Sequence, residues 1–461
     1  MRSWRGRAGV GAYGTWRPRL YLAATLAIGS AVANGPAAAQ AADDPIEILF
    51  LGNSFTHGRY APALNYNAAP GNSTSNNLVH DLMCPSLTAA GMCSSGAEAV
   101  AAVTPTANTP GGTLPGQLAY LQANPSAQLT EPGPFGGVAG VFLQFTKEAG
   151  LHYNVSLMTV SSATLTGWLN NKGSEAGMLP QIASAKWDHV VMQDQSFRPL
   201  PATITVNGQA VPTRGVPTGF VSGVDGLINA IALADATAGK RNAAITLYQT
   251  QPLASYGFTS SNPNAPIFGS STAAQNGDNP AFAPYIGSSD PIAQMASDLH
   301  NAYTGAASAY NAANPNGSHV DVALAGDAWV SAINLGVAVE NPYLPQHPQK
   351  QVDLWDGNPL TACCTTPIGY HPSSYGVYLD ALVIFYKITG IDPHTLRAEM
   401  DEHNALFQAS AANALGISAR DARLLAIAAR ETVDAGMPIC RPGAFPVWPC
   451  AMLPQPPDAE D

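Results

Sequence analysis

Apolar positions along the chain alternate between short unbroken runs and longer stretches with helical spacing. Glu47–Leu51 (EILFL) is an apolar run ending at Gly52 and predicts a buried strand. Asn154–Val160, His189–Met192, Ala243–Tyr248 and Val320–Leu324 repeat that pattern, giving five strands. Between them, Val141–Gly150, Gly226–Thr237 and Asp290–Ala313 carry apolar residues at helical spacing, and Ser374–Thr389 is a largely apolar helix closed by Gly390. Strands alternating with helices predict an α/β fold, with a parallel sheet covered on both faces.

Other segments break the alternation. Ser94–Gly137 is rich in Ala, Thr, Pro and Gly, and Ser255–Ser289 is rich in Asn, Ser and Pro, so both read as long loop insertions. Within Ala202–Val211, Asn207 and Gly208 mark a hairpin turn. From about Thr395 to Ala435 the chain reads as a helical C-terminal extension, with Ser418 and Asp421 spaced as a capping box. The expected division is 1–41 as a leader, 42–394 as the main domain and 395–461 as an extension packed on it.

The leader changes the picture of where the chain works. Five arginines precede Leu20–Ala33, an apolar run of 14 residues, and Ala39-Gln40-Ala41 offers a small-residue cleavage site. A membrane-spanning helix needs ~20 apolar residues, so this layout is that of a secretory signal peptide, with a secreted or periplasmic product. No later stretch reads as long and apolar enough to span a bilayer. Without residues 1–41, 15 basic residues face 31 acidic ones, a net charge of −16. Such a chain repels phosphate backbones and anionic lipid, which excludes nucleic acid as a partner. Export also favours disulfides, expected as Cys84–Cys93 and Cys440–Cys450, with Cys363 and Cys364 either bridged to each other or free. Spacings for structural zinc are missing.

Three blocks could carry chemistry. Ser54 follows the first strand in Gly52-Asn53-Ser54-Phe55-Thr56, and sites in doubly wound sheets form beyond the carboxyl ends of strands. Its hydroxyl could be a nucleophile, or it could simply cap a helix. His371 lies in Gly369-Tyr370-His371-Pro372-Ser373-Ser374-Tyr375-Gly376, at the entrance of the apolar helix, where Pro372 keeps it extended. It could be a general base or an ordinary loop histidine. The third block is Gln193-Asp194-Gln195-Ser196, hydrogen-bonding side chains at the end of a strand. Their amides could donate to an oxyanion or satisfy backbone groups.

In this order the three blocks resemble the SGNH, or GDSL-type, hydrolase superfamily, in the wording of a bacterial branch with GNSFT, QxQS and HPSxxG motifs. Leu49–Thr56 resembles its first block, with Asn53 in place of Asp, and His371–Gly376 resembles its last. The resemblance implies a flavodoxin-like three-layer α/β/α sandwich around a parallel five-stranded sheet. It implies Ser54 as nucleophile and His371 as base. The family's acid sits three residues before the histidine, which is Ile368 here. Asp356 is then the expected acid, Asp353 the alternative, and a Ser-His dyad the third option. The implied oxyanion donors are the N–H of Ser54, the N–H of Ser162 at a position where the family has glycine, and the side chain of Gln195, with Gln193 as the alternative.

The expected activity is therefore hydrolysis of small acyl esters, acetyl esters above all, on a small molecule or an acylated carbohydrate, with no metal or organic cofactor. Acyl transfer and lipase action would use the same residues. A non-catalytic carbohydrate- or surface-binding protein on the same fold is the rival, motivated by Asn53, Ile368 and Ser162. A Gly-rich match at Gly9–Gly14 follows no strand and falls inside the leader, and no GxSxG elbow, Walker A or HExxH motif occurs.

Overall fold

The computed structural model describes residues 44–59, 62–84, 93–94, 132–170, 177–258, 283–344, 351–355, 369–399 and 403–435. The leader and Asp356 lie outside the described residues, as do Cys363, Cys364, Cys440, Cys450 and the side chain of Cys93.

Among the described residues, seven strands form one parallel sheet. They are β1 (Ile46–Gly52), β2 (Ala68–Pro70), β3 (Val79–Asp81), β4 (Tyr153–Thr159), β5 (His189–Met192), β6 (Ala244–Tyr248) and β7 (Val320–Ala323). Their spatial order is β7-β6-β5-β1-β4-β3-β2. Strand β1 is central, paired with β4 on one side and β5 on the other, with Leu51 opposite both Met158 and Met192.

The period of two along β1 divides its side chains between two cores. Ile48 and Phe50 join Val155 and Leu157 on one face, while Leu49 and Leu51 join Val190, Met192 and Leu247 on the other. All of these residues are fully buried. Each such aliphatic or aromatic side chain contributes roughly 1.5–3 kcal/mol of transfer free energy. The first face is covered by helices α2 (Gly137–Glu148), α6 (Ala325–Asn334), α7 (Ser374–Thr389) and α8 (Ala419–Ala435). The second is covered by α3 (Leu165–Asn170), α4 (Pro217–Thr237) and α5 (Pro291–Ala313). The single turn α1 (Ser54–His57) leaves the end of β1.

The expected α/β sandwich is present, with a sheet of seven strands rather than five. The two missed strands are edge pieces of three residues, AAP and VHD, with no apolar run of their own. Pairing makes them strands, β3 to β4 and β2 to β3. Helix α6 was also missed, although Asp327, Ser331 and Asn334 fall on one helical face: it is only ten residues long and follows β7 almost directly. Helix α4 begins at Pro217 rather than Gly226. Proline suits the first helical turn, and Gly219, Gly223 and Gly226 dilute the helical signal there. By length and composition α4 is apolar enough to cross a membrane, contrary to expectation. Its Phe220, Val224, Leu227, Ile228 and Ile231 are buried in the second core.

Local signals elsewhere hold. Helix α7 is capped by Ser373 at its start and by left-handed Gly390 at its end. The hairpin Thr203–Val206 with Gln209–Pro212 turns through Asn207 (φ 50°) and Gly208 (φ 76°). Ser418 accepts from the Asp421 N–H as the capping box requires, and α8 packs against α6 and α7.

Candidate active site

The carboxyl end of β1 is built to turn sharply. A Cβ on Gly52 would lie 2.2 Å from Thr56 Oγ1 and 2.8 Å from Gln193 Oε1, so only glycine fits. Asn53 then caps α1, its side chain accepting the Phe55 N–H at 3.1 Å and donating to the Ala163 carbonyl at 3.0 Å. Ser54 is thus the first helical residue and not the cap. The first N–H groups of a helix have no intrahelical partner, which leaves that of Ser54 available to a ligand.

His371 arrives from the other side of the fold, 317 positions later. Its Nε2 lies 3.0 Å from Ser54 Oγ, within hydrogen-bond reach, and both residues are buried, His371 at 1% exposure. The imidazole sits against the rings of Phe55 (5.3 Å) and Tyr370 (5.0 Å). Tyr370 also hydrogen-bonds through its hydroxyl to Ser196 Oγ at 2.7 Å, tying the histidine loop to the end of β5.

Of the two acids considered, Asp356 lies outside the described residues and Asp353 is buried beside the histidine loop. Residues 351–355 run along that loop: Trp355 bridges antiparallel to Pro372, Ser373 donates its N–H to the Leu354 carbonyl (2.8 Å), and Ser373 Oγ donates to the Asp353 carbonyl (2.6 Å). Asp353 Oδ1 accepts the Trp355 N–H at 3.0 Å. Its Oδ2 and His371 Nδ1 are both shielded from solvent. The approach is close because Gly376 has no side chain: a Cβ there would meet the Leu354 carbonyl oxygen at 2.5 Å. That contact gives the glycine of the HPSxxG motif a packing role.

The remaining predicted residues lie at the neighbouring strand ends. Ser162, just after β4, has φ 63°, so a serine holds the left-handed conformation that glycine would adopt freely. The cost is about 1–2 kcal/mol. The Gln193 side chain is fully engaged: Oε1 accepts from the Asn53 N–H (3.2 Å) and Thr56 Oγ1 (2.8 Å), and Nε2 donates to the Asp194 carbonyl. Its amide is therefore committed to shaping the serine turn. Gln195 is half-buried, and its side chain makes no hydrogen bond that competes with such a role among the described residues. Asp194, between them, is fully buried, and burial raises its carboxyl to about 6. Sequence reasoning gave Asp194 and Thr56 no individual role, although both fall inside the quoted motifs.

No family model matches the chain, and no curated protein does. Among solved structures, the chain is similar to a candidate SGNH hydrolase from Slackia heliotrinireducens, 17% identical, over 75% of this chain and 100% of that one, with a TM-score of 0.31. It is also similar to a DUF4886 family protein from Bacteroides uniformis, 12% identical, over 85% of this chain and 96% of that one, with a TM-score of 0.38.

Proposed function

We propose that the protein is a serine esterase of the SGNH type. The observation that carries this reading is the buried contact between Ser54 Oγ and His371 Nε2 at 3.0 Å. Ser54 attacks an ester carbonyl while Nε2 takes the hydroxyl proton. The tetrahedral oxyanion is held by the N–H groups of Ser54 and Ser162 and by the amide of Gln195. The imidazolium returns its proton to the leaving alcohol, and water, deprotonated by the same ring, releases the acid. Asp353 is the residue we assign to orienting His371, in preference to Asp356, on the strength of its burial and the pairing of its segment with Pro372 and Ser373.

The substrate class we favour is a small acyl ester, acetyl in particular, on a carbohydrate or small alcohol, met by an exported enzyme. Hydrolysis of short-chain nitrophenyl esters by the wild type and by Ser54→Ala tests it. Loss of turnover in the variant supports the esterase. Equal rates in the two proteins would sink it and leave the non-catalytic binding protein standing.

A further inference from the structure

The proposed oxyanion donors sit on two separate loops, and nothing in either loop alone fixes their separation. Ser162 lies in the turn between β4 and α3, and Gln195 in the loop after β5. The side chain of Asp194 joins these loops. Its Oδ1 accepts the N–H of Leu165, 29 positions away, at 3.1 Å and the N–H of Gln195 at 2.7 Å. One oxygen therefore binds both segments. Its Oδ2 is buried and accepts no hydrogen bond among the described residues. The groups facing the carboxylate are Arg198, whose Nε stands 3.9 Å from Oδ2, and Tyr303 from α5.

A buried acid with so little charge compensation is costly, and a neutral residue would fold more easily. A charged acceptor, however, makes shorter and stronger bonds to backbone N–H groups than a neutral one. With its carboxyl near 6, Asp194 is ionised at neutral pH, so both bonds are charge-assisted there. On the opposite side of the turn, the Asn53 side chain holds the Ala163 carbonyl. The Ser161–Leu165 turn is thus pinned from the serine loop at one end and from the β5 loop at the other.

We propose that Asp194 is a positioning residue of the oxyanion hole: its carboxylate holds the Ser162 N–H and the Gln195 side chain in register to meet one oxygen. This rests on the esterase reading. It predicts that Asp194 acts on the transition state through donors it does not itself supply. Substrate binding in the ground state, where the carbonyl carries little charge, is then largely unaffected.

The experiment is a double-mutant cycle on kcat and KM with a short-chain nitrophenyl ester at pH 8, using wild type, Asp194→Asn, Gln195→Ala and the double variant. Ser54→Ala serves as the blank, and unfolding midpoints confirm that each protein is folded. Asp194→Asn keeps the shape of the side chain and removes the charge. The expected result is a fall in kcat of roughly tenfold to a hundredfold with KM within about twofold. In the Gln195→Ala background the same change costs several-fold less, because the donor it positions is gone. If wild type turns over and Asp194→Asn matches it, or if the two effects multiply with no coupling, the positioning role is wrong while the esterase reading survives. If wild type is no faster than Ser54→Ala, the esterase reading fails and this proposal with it. Should Asp194→Asn not fold, Asp194→Glu, which keeps the charge but displaces it, takes its place with the same expected split between kcat and KM.

Discussion

At the amino ends of the strands the polar groups are charged and wet, whereas at the carboxyl ends of the same strands they are mostly neutral and dry. Lys186 pairs with Glu47 at 3.1 Å and Lys240 with Asp188 at 3.0 Å, all four side chains keeping at least a fifth of their surface in water. At the other end Asn53, Thr56, Gln193 and Asp194 are each 1% exposed or less, and they bond to one another and to backbone. Water can replace a lost partner at the first end. At the second it cannot, so each group depends on its neighbour's position. One end tolerates change and the other has a fixed geometry, which is what a reacting oxygen requires.

The largest effect expected from this contrast is at the serine. His371→Ala should lower kcat/KM on short-chain nitrophenyl esters by about 10³-fold or more with the fold intact, since it removes the only imidazole in contact with Ser54 among the described residues. Next is Gly52→Ala. The new methyl group must displace Thr56 and Gln193, and urea titration should show a loss of about 2–3 kcal/mol.

The pH dependence of stability sharpens the comparison further. Burial raises the carboxyls of Asp194 and Asp81 to about 6 and that of Asp380 to about 7, from 3.8. Because these folded values lie above the unfolded one, the folded state binds more protons. The stability they contribute is complete below pH ~4 and is lost as pH rises through about 6 to 7. Urea midpoints should therefore fall over that window, and Asp194→Asn should flatten the part of the slope near pH 6. A wild-type midpoint that rises instead would contradict the burial argument. The smallest effect is at the wet end: Lys186→Ala should change stability by no more than about 1 kcal/mol, less at high salt.

The same contrast explains what could be read from sequence. Central strands such as Glu47–Leu51 and His189–Met192 announce themselves because burial on both faces demands an unbroken apolar run. Ser54 and His371 were legible as types in context, since each follows a recognisable strand end or helix entrance. Their meeting is a property of the sheet order and is written in neither motif. Strands β2 and β3, at one edge of the sheet and next to it, take their structure from pairing rather than from composition, and α6 is too short for its polar face of Asp327, Ser331 and Asn334 to stand out. Sequence offers both Asp356 and Asp353 as the acid; that Asp353 is buried and that its segment pairs with Pro372 are three-dimensional facts no motif states. The left-handed φ of Ser162 has no mark in the residue itself, because serine does not advertise a conformation that glycine would; only the glycine expected at that position hints at it. Asp194 sat in plain view inside a polar cluster, but only the fold shows that it bonds to Leu165.

The proposed chemistry requires an activated Ser54. Treating the protein with a fluorophosphonate and locating the adduct by peptide mass spectrometry tests that most directly. The expected result is one stoichiometric adduct on Ser54, formed at neutral pH and abolished by His371→Ala. A protein that stays unlabelled, or that carries its adduct on another side chain, would contradict it.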